Sequence, residues 1–128
     1  MGMVNFEDYT FLYNADAHFK AMERYPEGFF ATILQNDIDG FNAVCWGLAE
    51  MSMQGELFRR FQGEDKKEYL TEAKVRNSLT IPDMPEAVRI LIEAINKGMK
   101  TGDDDEEIDE VLMELQKKTG TSLTEQNT

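Results

Sequence analysis

The residues of this chain that could carry chemistry are one cysteine, one histidine and many carboxylates. Cys45 lies in an apolar run typical of a helix, where a thiol is normally buried and inert. A nucleophilic thiol needs a base beside it, and His18 lies in a different segment with no motif that links the two. With a single cysteine, the chain can form neither an intrachain disulfide nor a cysteine zinc site.

An acidic turn at residues 36–40 has part of the pattern of a calcium-binding loop. Asp37, Asp39 and Gly40 would take the third, fifth and sixth positions of such a loop. The first position would then be a glutamine, and the twelfth would be a tryptophan instead of the bidentate glutamate. A capped turn before a helix is therefore the expected structure, and we predict no metal site.

Catalytic motifs are also missing from the sequence. None of the carboxylates lies in apolar surroundings that would raise its pKa for acid catalysis, and Glu50, within an apolar helical segment, comes nearest. The chain holds no phosphate-binding glycine loop and no serine nucleophile elbow. We therefore predict that the protein is not an enzyme and uses no cofactor.

The charge balance limits the kinds of partner. The chain has 25 acidic and 13 basic residues, with a formal net charge of −12. Binding to nucleic acid or to an anionic membrane needs a surplus of Lys and Arg, so we predict neither and expect protein partners. No apolar run approaches the roughly 18 residues of a membrane helix, and the start lacks a signal-peptide pattern, which predicts a cytoplasmic location.

The hydrophobic pattern predicts a mainly α fold. We expect a compact bundle of five to six helices around a central apolar helix, with residues 1–120 as a single helical domain and residues 121–128 as a disordered tail. The central helix spans Asp39–Gln62 and is apolar on two sides, which is typical of a helix buried on both. Gly47 and Gly55 lower its intrinsic stability but permit close helix contact or, near Gly55, a bend.

Shorter helices surround the central one. Asn14 is the expected cap of the first, whose predicted apolar stripe is Phe19 and Met22. Apart from the central helix, the predicted helices are Ala15–Arg24, Phe29–Leu34, Glu72–Ser78, a helix that begins at Pro85 and is closed by Gly102 after Lys100, and Asp105–Lys118.

The aromatic residues near the N-terminus alternate with other residues. Tyr9, Phe11 and Tyr13 have the period of two that favours a short N-terminal β-strand. A single strand is not stable alone, so it needs a partner, either within the chain or in another copy.

Two apolar stripes and two charged segments are candidates for partner binding. The stripes lie on the last two predicted helices and consist of Val88, Leu91, Ile92, Ile95, Ile108, Val111, Leu112 and Leu115. The basic patch consists of Arg59, Arg60, Lys66 and Lys67. The acidic segment runs from Asp103 to Glu110 and begins with Asp103, Asp104, Asp105, Glu106 and Glu107. The two charged segments either pair, within one chain or between copies, or are ordinary solvated surfaces.

Four segments, in this order, carry a resemblance to a known family. They are Ala17–Glu23, Val44–Glu50 with its Trp-Gly-Leu core, Leu70–Val75 with its Leu-Thr-Glu helix start, and Ala87–Ile95. In order and character they resemble the tail assembly chaperones of long, non-contractile-tailed phages and prophages of Gram-positive bacteria. The resemblance covers residues 9–99. The sequence departs from the family in two ways, because only one N-terminal strand is readable instead of a hairpin and the central segment is longer.

The resemblance implies a function for the protein. Members of this family are helical proteins that coat the tape measure protein, keep it soluble and help to recruit tail tube subunits. They form homo-oligomeric rings or helical assemblies, and a longer frameshifted form exists in some. We therefore expect a non-catalytic chaperone in the host bacterial cytoplasm. The alternative is a regulatory or adaptor domain that binds a basic protein through Asp103–Glu110.

Overall fold

A computed structural model describes residues 4–100 of the 128-residue chain. Its α-helices are α1 (Ala15–Arg24), α2 (Phe29–Ile33), α3 (Ile38–Phe61), α4 (Glu72–Ser78) and α5 (Met84–Gly98), with short 3-10 helices at Phe6–Asp8 and Ile81–Asp83. Residues 4–100 contain no β-strand, so the predicted mainly α class is confirmed. The predicted helix Asp105–Lys118 and the predicted tail lie outside the described residues.

The described residues belong to two units. Residues 4–95 form one compact unit, and residues 96–100 are the described beginning of a second. The predicted extent of a single domain over residues 1–120 stays a prediction, because most of its last part is outside the described range.

The helices begin where local capping predicts. Asn14, Asp37 and Thr71 each accept a side-chain hydrogen bond from the backbone N–H three residues later, at 2.9, 2.9 and 3.1 Å. Each cap satisfies one of the N–H groups that have no partner within the helix. The predicted starts of α1 and α4 are thereby confirmed, and the acidic turn before α3 is a cap.

The C-terminal end of α3 is closed by a glycine. Gly63 has a positive φ of 89°, which a residue without a Cβ adopts readily. Its N–H donates to the carbonyl of Arg60 at 2.9 Å, and the N–H of Glu64 donates to the carbonyl of Arg59 at 3.0 Å. This pair of hydrogen bonds is a Schellman motif, and it turns the chain away from the helix axis.

The core is built around α3, the predicted central helix, but burial on both apolar sides does not extend to its last turns, where Leu57, Phe58 and Phe61 are exposed. The fully buried side chains on α3 include Val44, Cys45, Leu48 and Met51. The segments that surround it contribute Ile33, Leu70, Val75 and Leu91, each no more than 1% exposed. Burial of each such side chain stabilises the fold by about 1.5–3 kcal/mol relative to an exposed position.

The glycines of α3 are sites of close contact. At Gly55 an added methyl group would overlap the backbone carbonyl of Thr10, and at Gly47 it would lie 2.8 Å from the ring of Phe29. The helix runs from Ile38 to Phe61 as one uninterrupted element. Close contact is therefore the role of Gly55 in this fold.

The orientation of α1 differs from the prediction. Ala17 and Ala21 are buried, whereas Phe19 and Met22, the predicted apolar stripe, are exposed. Two alanines one turn apart form a flat surface that lets α1 lie close to its neighbours. The prediction was wrong because it placed the largest apolar side chains inward.

A buried amide fixes the register between α1 and α3. The side-chain amide of Gln54 donates to carboxylates of Asp16 and Glu50, both at 2.7 Å, and its oxygen accepts from Asn14 at 3.0 Å. Lys20 bridges the same two carboxylates at 3.0 and 3.2 Å. Because residues further along α1 contact residues earlier in α3, the two helices are antiparallel.

The predicted N-terminal strand is not formed. A 3-10 helix at Phe6–Asp8 is followed by a segment that crosses α3, where the N–H of Leu12 donates to the carbonyl of Met51 at 3.1 Å. The aromatic alternation serves packing instead, since Phe11 lies between Phe6 and Tyr9 with ring centroids 6.4 and 6.3 Å away. No strand lies beside this segment within residues 4–100, so it packs on a helix of its own chain.

Candidate interaction surfaces

The last turns of α3 carry three exposed apolar side chains. Leu57 and Phe61 are four residues apart and Phe58 and Phe61 are three apart, so all three lie on one side of the helix. Phe61 is 86% exposed, an extreme value for an aromatic residue. Grouped apolar side chains on a surface are typical of a site that another molecule covers. We call this group the α3 end patch.

A second exposed apolar pair lies on the outer face of α1. Phe19 and Met22 point away from the side on which Ala17 and Ala21 are buried. The ring of His18 packs edge-on against Phe19 at 5.3 Å between centroids. A large apolar side chain that is 64% exposed is a candidate for contact with another molecule.

The predicted partner-binding face of α5 is only partly accessible. Leu91 is fully buried and Ile95 nearly so, because they pack into the core. Val88 and Ile92 are half-buried at the edge of the same face. The predicted surface is therefore corrected, since Leu91 and Ile95 belong to the core and only the other two can reach a partner.

The predicted stripe on the terminal helix cannot be placed. Its residues are Ile108, Val111, Leu112 and Leu115, and they lie outside the described residues, as does the acidic segment from Asp103 to Glu110.

Two arginines of the predicted basic patch are bound to a buried carboxylate. Glu56 accepts hydrogen bonds from Arg59 at 2.6 Å, from Arg60 at 2.9 Å and from the backbone N–H of Lys67 at 2.6 Å. The same arginines donate to backbone carbonyls of Asp65 and Lys67 at 3.2 and 3.0 Å. This network, the Glu56 clamp, holds the loop after α3 against the end of the helix.

The clamp alters the charge of the basic patch. The hydrogen bond from the Lys67 backbone, followed by those from Arg60 and Arg59, lowers the pKa of Glu56 to about 2. Glu56 therefore stays ionised near neutral pH and offsets one of the two guanidinium charges, and Glu64 lies 3.1 Å from Arg59. Pairing of this patch with the acidic segment stays a prediction.

The Glu56 clamp was missed at the level of sequence. Its signal was nonetheless local, because a glutamate three and four residues before two arginines is the spacing that forms ion pairs on a helix. The backbone hydrogen bond from Lys67, eleven residues away, has no such sequence signal.

The substitution Glu56→Gln is expected to remove a pH-dependent part of the stability. The pKa of Glu56 is about 2 in the folded protein against an ordinary value of 4.5, so its ionised form stabilises the fold above pH 4.5. That contribution is lost as the pH falls from 4.5 towards 2. We expect the variant to be less stable than the parent at pH 7, with a difference that shrinks over this range, measured by urea unfolding.

The exposed neighbour Glu68 provides the matched control for this experiment. Glu68→Gln lies in the same loop and should change the free energy of unfolding little at pH 7. Equal stability of the Glu56→Gln variant and the parent at pH 7 would contradict the role given to the clamp.

Cys45 and His18, the two side chains considered for catalysis, each have an environment in the fold that can be described. Burial raises the pKa of the Cys45 thiol to about 11, so little of the nucleophilic thiolate exists near neutral pH. The Nδ1 atom of His18 lies 2.8 Å from the hydroxyl of Tyr13.

Within residues 4–100, no group of three His, Cys, Asp or Glu side chains is arranged to hold a metal ion. In the same range, no helix combines the length and apolar character needed to cross a membrane.

Comparisons of this chain with protein-family models, with curated proteins and with solved structures found no match. The resemblance to phage tail assembly chaperones therefore stays a prediction that depends on the four sequence segments. Besides these segments, the exposed surfaces of the fold are the features that bear on a function.

Proposed function

We propose that this protein is a non-catalytic tail assembly chaperone of the kind found in long, non-contractile-tailed phages. In this proposal it acts as a homo-oligomer in the host cytoplasm, binds the tape measure protein and assists assembly of the tail tube. The observation that supports it best is the exposure of large apolar side chains on two helix surfaces, the α3 end patch and the outer face of α1. A chaperone needs such surfaces to cover apolar segments of its client.

The spacing of the exposed side chains favours a helical client. The two residues of each exposed pair, Phe19 with Met22 and Phe58 with Phe61, are three positions apart on their helix. An amphipathic helix of a client has apolar anchors at the same spacing, so its side chains can pack between those of the pair. The tape measure protein, the client of the chaperones that this sequence resembles, is a long helical protein.

The distribution of charge is compatible with keeping a client in solution. After residue 100 the sequence holds nine of the 25 acidic residues and two of the 13 basic ones. Most of the net negative charge is therefore carried by the C-terminal quarter of the chain, separate in sequence from the apolar surfaces. A high net charge on a complex opposes its aggregation.

Co-expression with the tape measure protein of the same phage or prophage tests the proposal. We expect the chaperone to raise the soluble fraction of that protein and to co-purify with it. The double variant Leu57→Ser, Phe61→Ser should lose most of this effect, because it removes two anchors of the α3 end patch without changing the core.

A matched control is available at Ile81. This residue is 85% exposed, against 86% for Phe61, but it lies in a 3-10 turn outside both helix surfaces. Ile81→Ser should preserve the effect on the tape measure protein. If the parent protein leaves the solubility of the tape measure protein unchanged, the proposed function is wrong. If the two variants behave alike, the α3 end patch is not the contact surface.

The alternative function is an adaptor that binds a basic protein through Asp103–Glu110. One observation favours it. Arg59 and Arg60, which belong to the basic patch predicted to pair with the acidic segment, already form ion pairs with Glu56. Salt distinguishes the two functions. Partner binding through an exposed acidic segment weakens strongly as ionic strength rises, whereas binding through apolar anchors does not.

A further inference from the structure

A polar cleft lies where α1, α2, α3 and α4 meet. It encloses about 490 Å³, and the residues around it include Arg24, Tyr25, Glu27, Asp39, Asn42 and Arg76. Two arginines on the wall of one cleft are notable in a chain with a net charge of −12. Their surroundings show what kind of ligand the cleft fits.

Arg24 is held in place by aromatic rings. Its guanidinium carbon lies 5.9 Å from the centre of the Tyr25 ring and 5.7 Å from that of Trp46. Tyr25, Trp46 and Phe29 pack edge-on or tilted against one another at 5.3–5.8 Å, so the surface below the arginine is rigid. A guanidinium group within about 6 Å of an aromatic ring face is attracted to the ring without using its N–H donors.

The donors of Arg24 are not used within residues 4–100. Its nearest carboxylate there is that of Glu72, at 3.9 Å, too far for a hydrogen bond. Arg76 approaches the same Glu72 oxygen at 3.4 Å and donates to Asn42 at 2.7 Å. The two guanidinium groups therefore converge on one carboxylate oxygen, and within residues 4–100 the donors of Arg24 make no hydrogen bond.

Arg89 shows how an equally exposed arginine behaves elsewhere on this protein. Its side chain is 52% exposed, against 51% for Arg24. It donates to both Glu86 and Glu93 on its own helix. The open donors of Arg24 are therefore not a consequence of exposure alone.

We propose that this cleft binds a carboxylate side chain of a protein partner, held by Arg24 with the help of Arg76. A planar guanidinium group binds a carboxylate through two parallel N–H groups, and arginine next to Trp and Tyr is the composition of binding hot spots. Glu27 and Asp39 also line the cleft, and Glu72 lies beside both arginines. These three carboxylates oppose a free polyanion more than a single carboxylate carried on a protein surface. The inference is independent of the proposed chaperone function, which depends on the apolar surfaces.

The experiment uses the full-length protein and a defined probe. The probe is the acetylated and amidated tripeptide Ala-Glu-Ala, with Ala-Gln-Ala as its neutral counterpart. Binding is followed by NMR at the side-chain N–H of Arg24 and at the indole N–H of Trp46, the only tryptophan. We expect saturable shifts of both signals with the glutamate peptide and none with the glutamine peptide.

Variants at matched positions decide the outcome. Arg24→Gln should weaken binding of the glutamate peptide about tenfold or more, because it removes the charge-assisted hydrogen bonds. Because this variant lacks the side-chain N–H signal of Arg24, its binding is measured at the indole N–H of Trp46. Arg89→Gln should leave binding unchanged, and an unchanged thermal unfolding midpoint would show that the Arg24→Gln variant is folded. Arg24→Lys should restore only a part of the binding, because lysine lacks the planar fork.

Three results would overturn the inference. The first is the absence of saturable shifts with the glutamate peptide, and the second is equal binding by the parent and the Arg24→Gln variant. The third is tighter binding of inorganic phosphate than of the glutamate peptide, which would make the cleft a site for a free anion instead of a contact with a protein.

Discussion

The substitution Gly55→Ala is expected to lower the free energy of unfolding by about 1–3 kcal/mol, as overpacking of a full interior does. Alanine is favoured over glycine inside a helix by about 1 kcal/mol, so the substitution would stabilise a solvent-exposed position. Here the added methyl group overlaps the backbone carbonyl of Thr10, which cannot rotate away as a side chain can. Urea unfolding of the variant and the parent measures the difference.

Removal of residues 1–12 provides the control for the Gly55 prediction. Without the segment that contains Thr10, the overlap is absent, and Gly55→Ala should become neutral or stabilising by up to about 1 kcal/mol. Gly47→Ala offers a second comparison, because its closest neighbours are the tips of the Phe29 and Leu91 side chains, which can shift. An equal loss of stability in the full and shortened chains would contradict the close contact between the N-terminal segment and α3.

The substitution Leu91→Ala is expected to lower the free energy of unfolding by about 2–5 kcal/mol. Leu91 is fully buried. Its methyl groups lie so close to Gly47 of α3 that a Cβ added to Gly47 would be 3.2 and 3.3 Å from them. Truncation leaves a cavity that the surrounding helices can fill only in part. Denaturant unfolding, monitored by far-UV circular dichroism, measures the loss.

Ile92, the next residue, serves as the matched comparison for Leu91. It is half-buried at the edge of the same helix face, so Ile92→Ala should cost about 1 kcal/mol, the usual size for a single substitution. The pair separates a core position from an edge position within one predicted surface. If Ile92→Ala cost as much as Leu91→Ala, the division of the α5 face into core and accessible parts would be wrong.

Together these positions define how the molecule can meet a partner. The core contains the small and aliphatic residues of α3 and the residues that face it, whereas the aromatic and methionine side chains of α1 and of the α3 end remain exposed. Large apolar side chains such as Phe19 and Phe61 thus lie on the surface, whereas Phe29 and Tyr13 lie in the core. The exposed ones are the side chains to which the proposed chaperone function assigns contact with a client.

Much of the fold could be predicted because its signals are local. The caps Asn14, Asp37 and Thr71 act on N–H groups three residues away, and the pattern of α3 repeats within each turn. Predicted and observed starts and ends of α1, α2, α3 and α4 agree within one residue. For α5 the observed helix begins at Met84, one residue before the predicted Pro85, and ends at Gly98, before the predicted last turn with Lys100.

The surfaces were less predictable, because the contacts that decide them join distant residues. Periodicity placed Phe19 and Met22 inward, but α1 is oriented by the hydrogen bonds of Gln54 with Asn14 and Asp16, 40 and 38 residues away. Arg24 and Glu72 meet only because α1 and α4 both lie beside α3. Such pairs leave no spacing signal in a single sequence.

By itself the sequence determined the helical class of this protein, the limits of its main helices and the acidic balance that argues against nucleic acid as a partner. These depend on hydrogen bonds and side-chain neighbours within a few residues and on total charge, which do not require the folded arrangement. The packing of the helices established that Leu91 is core, that the α1 aromatic residue faces outward and that Arg24 lies at a cleft without a hydrogen bond to the rest of residues 4–100. Those features depend on which faces of separate helices exclude water together, and that is settled only when all the helices pack at once.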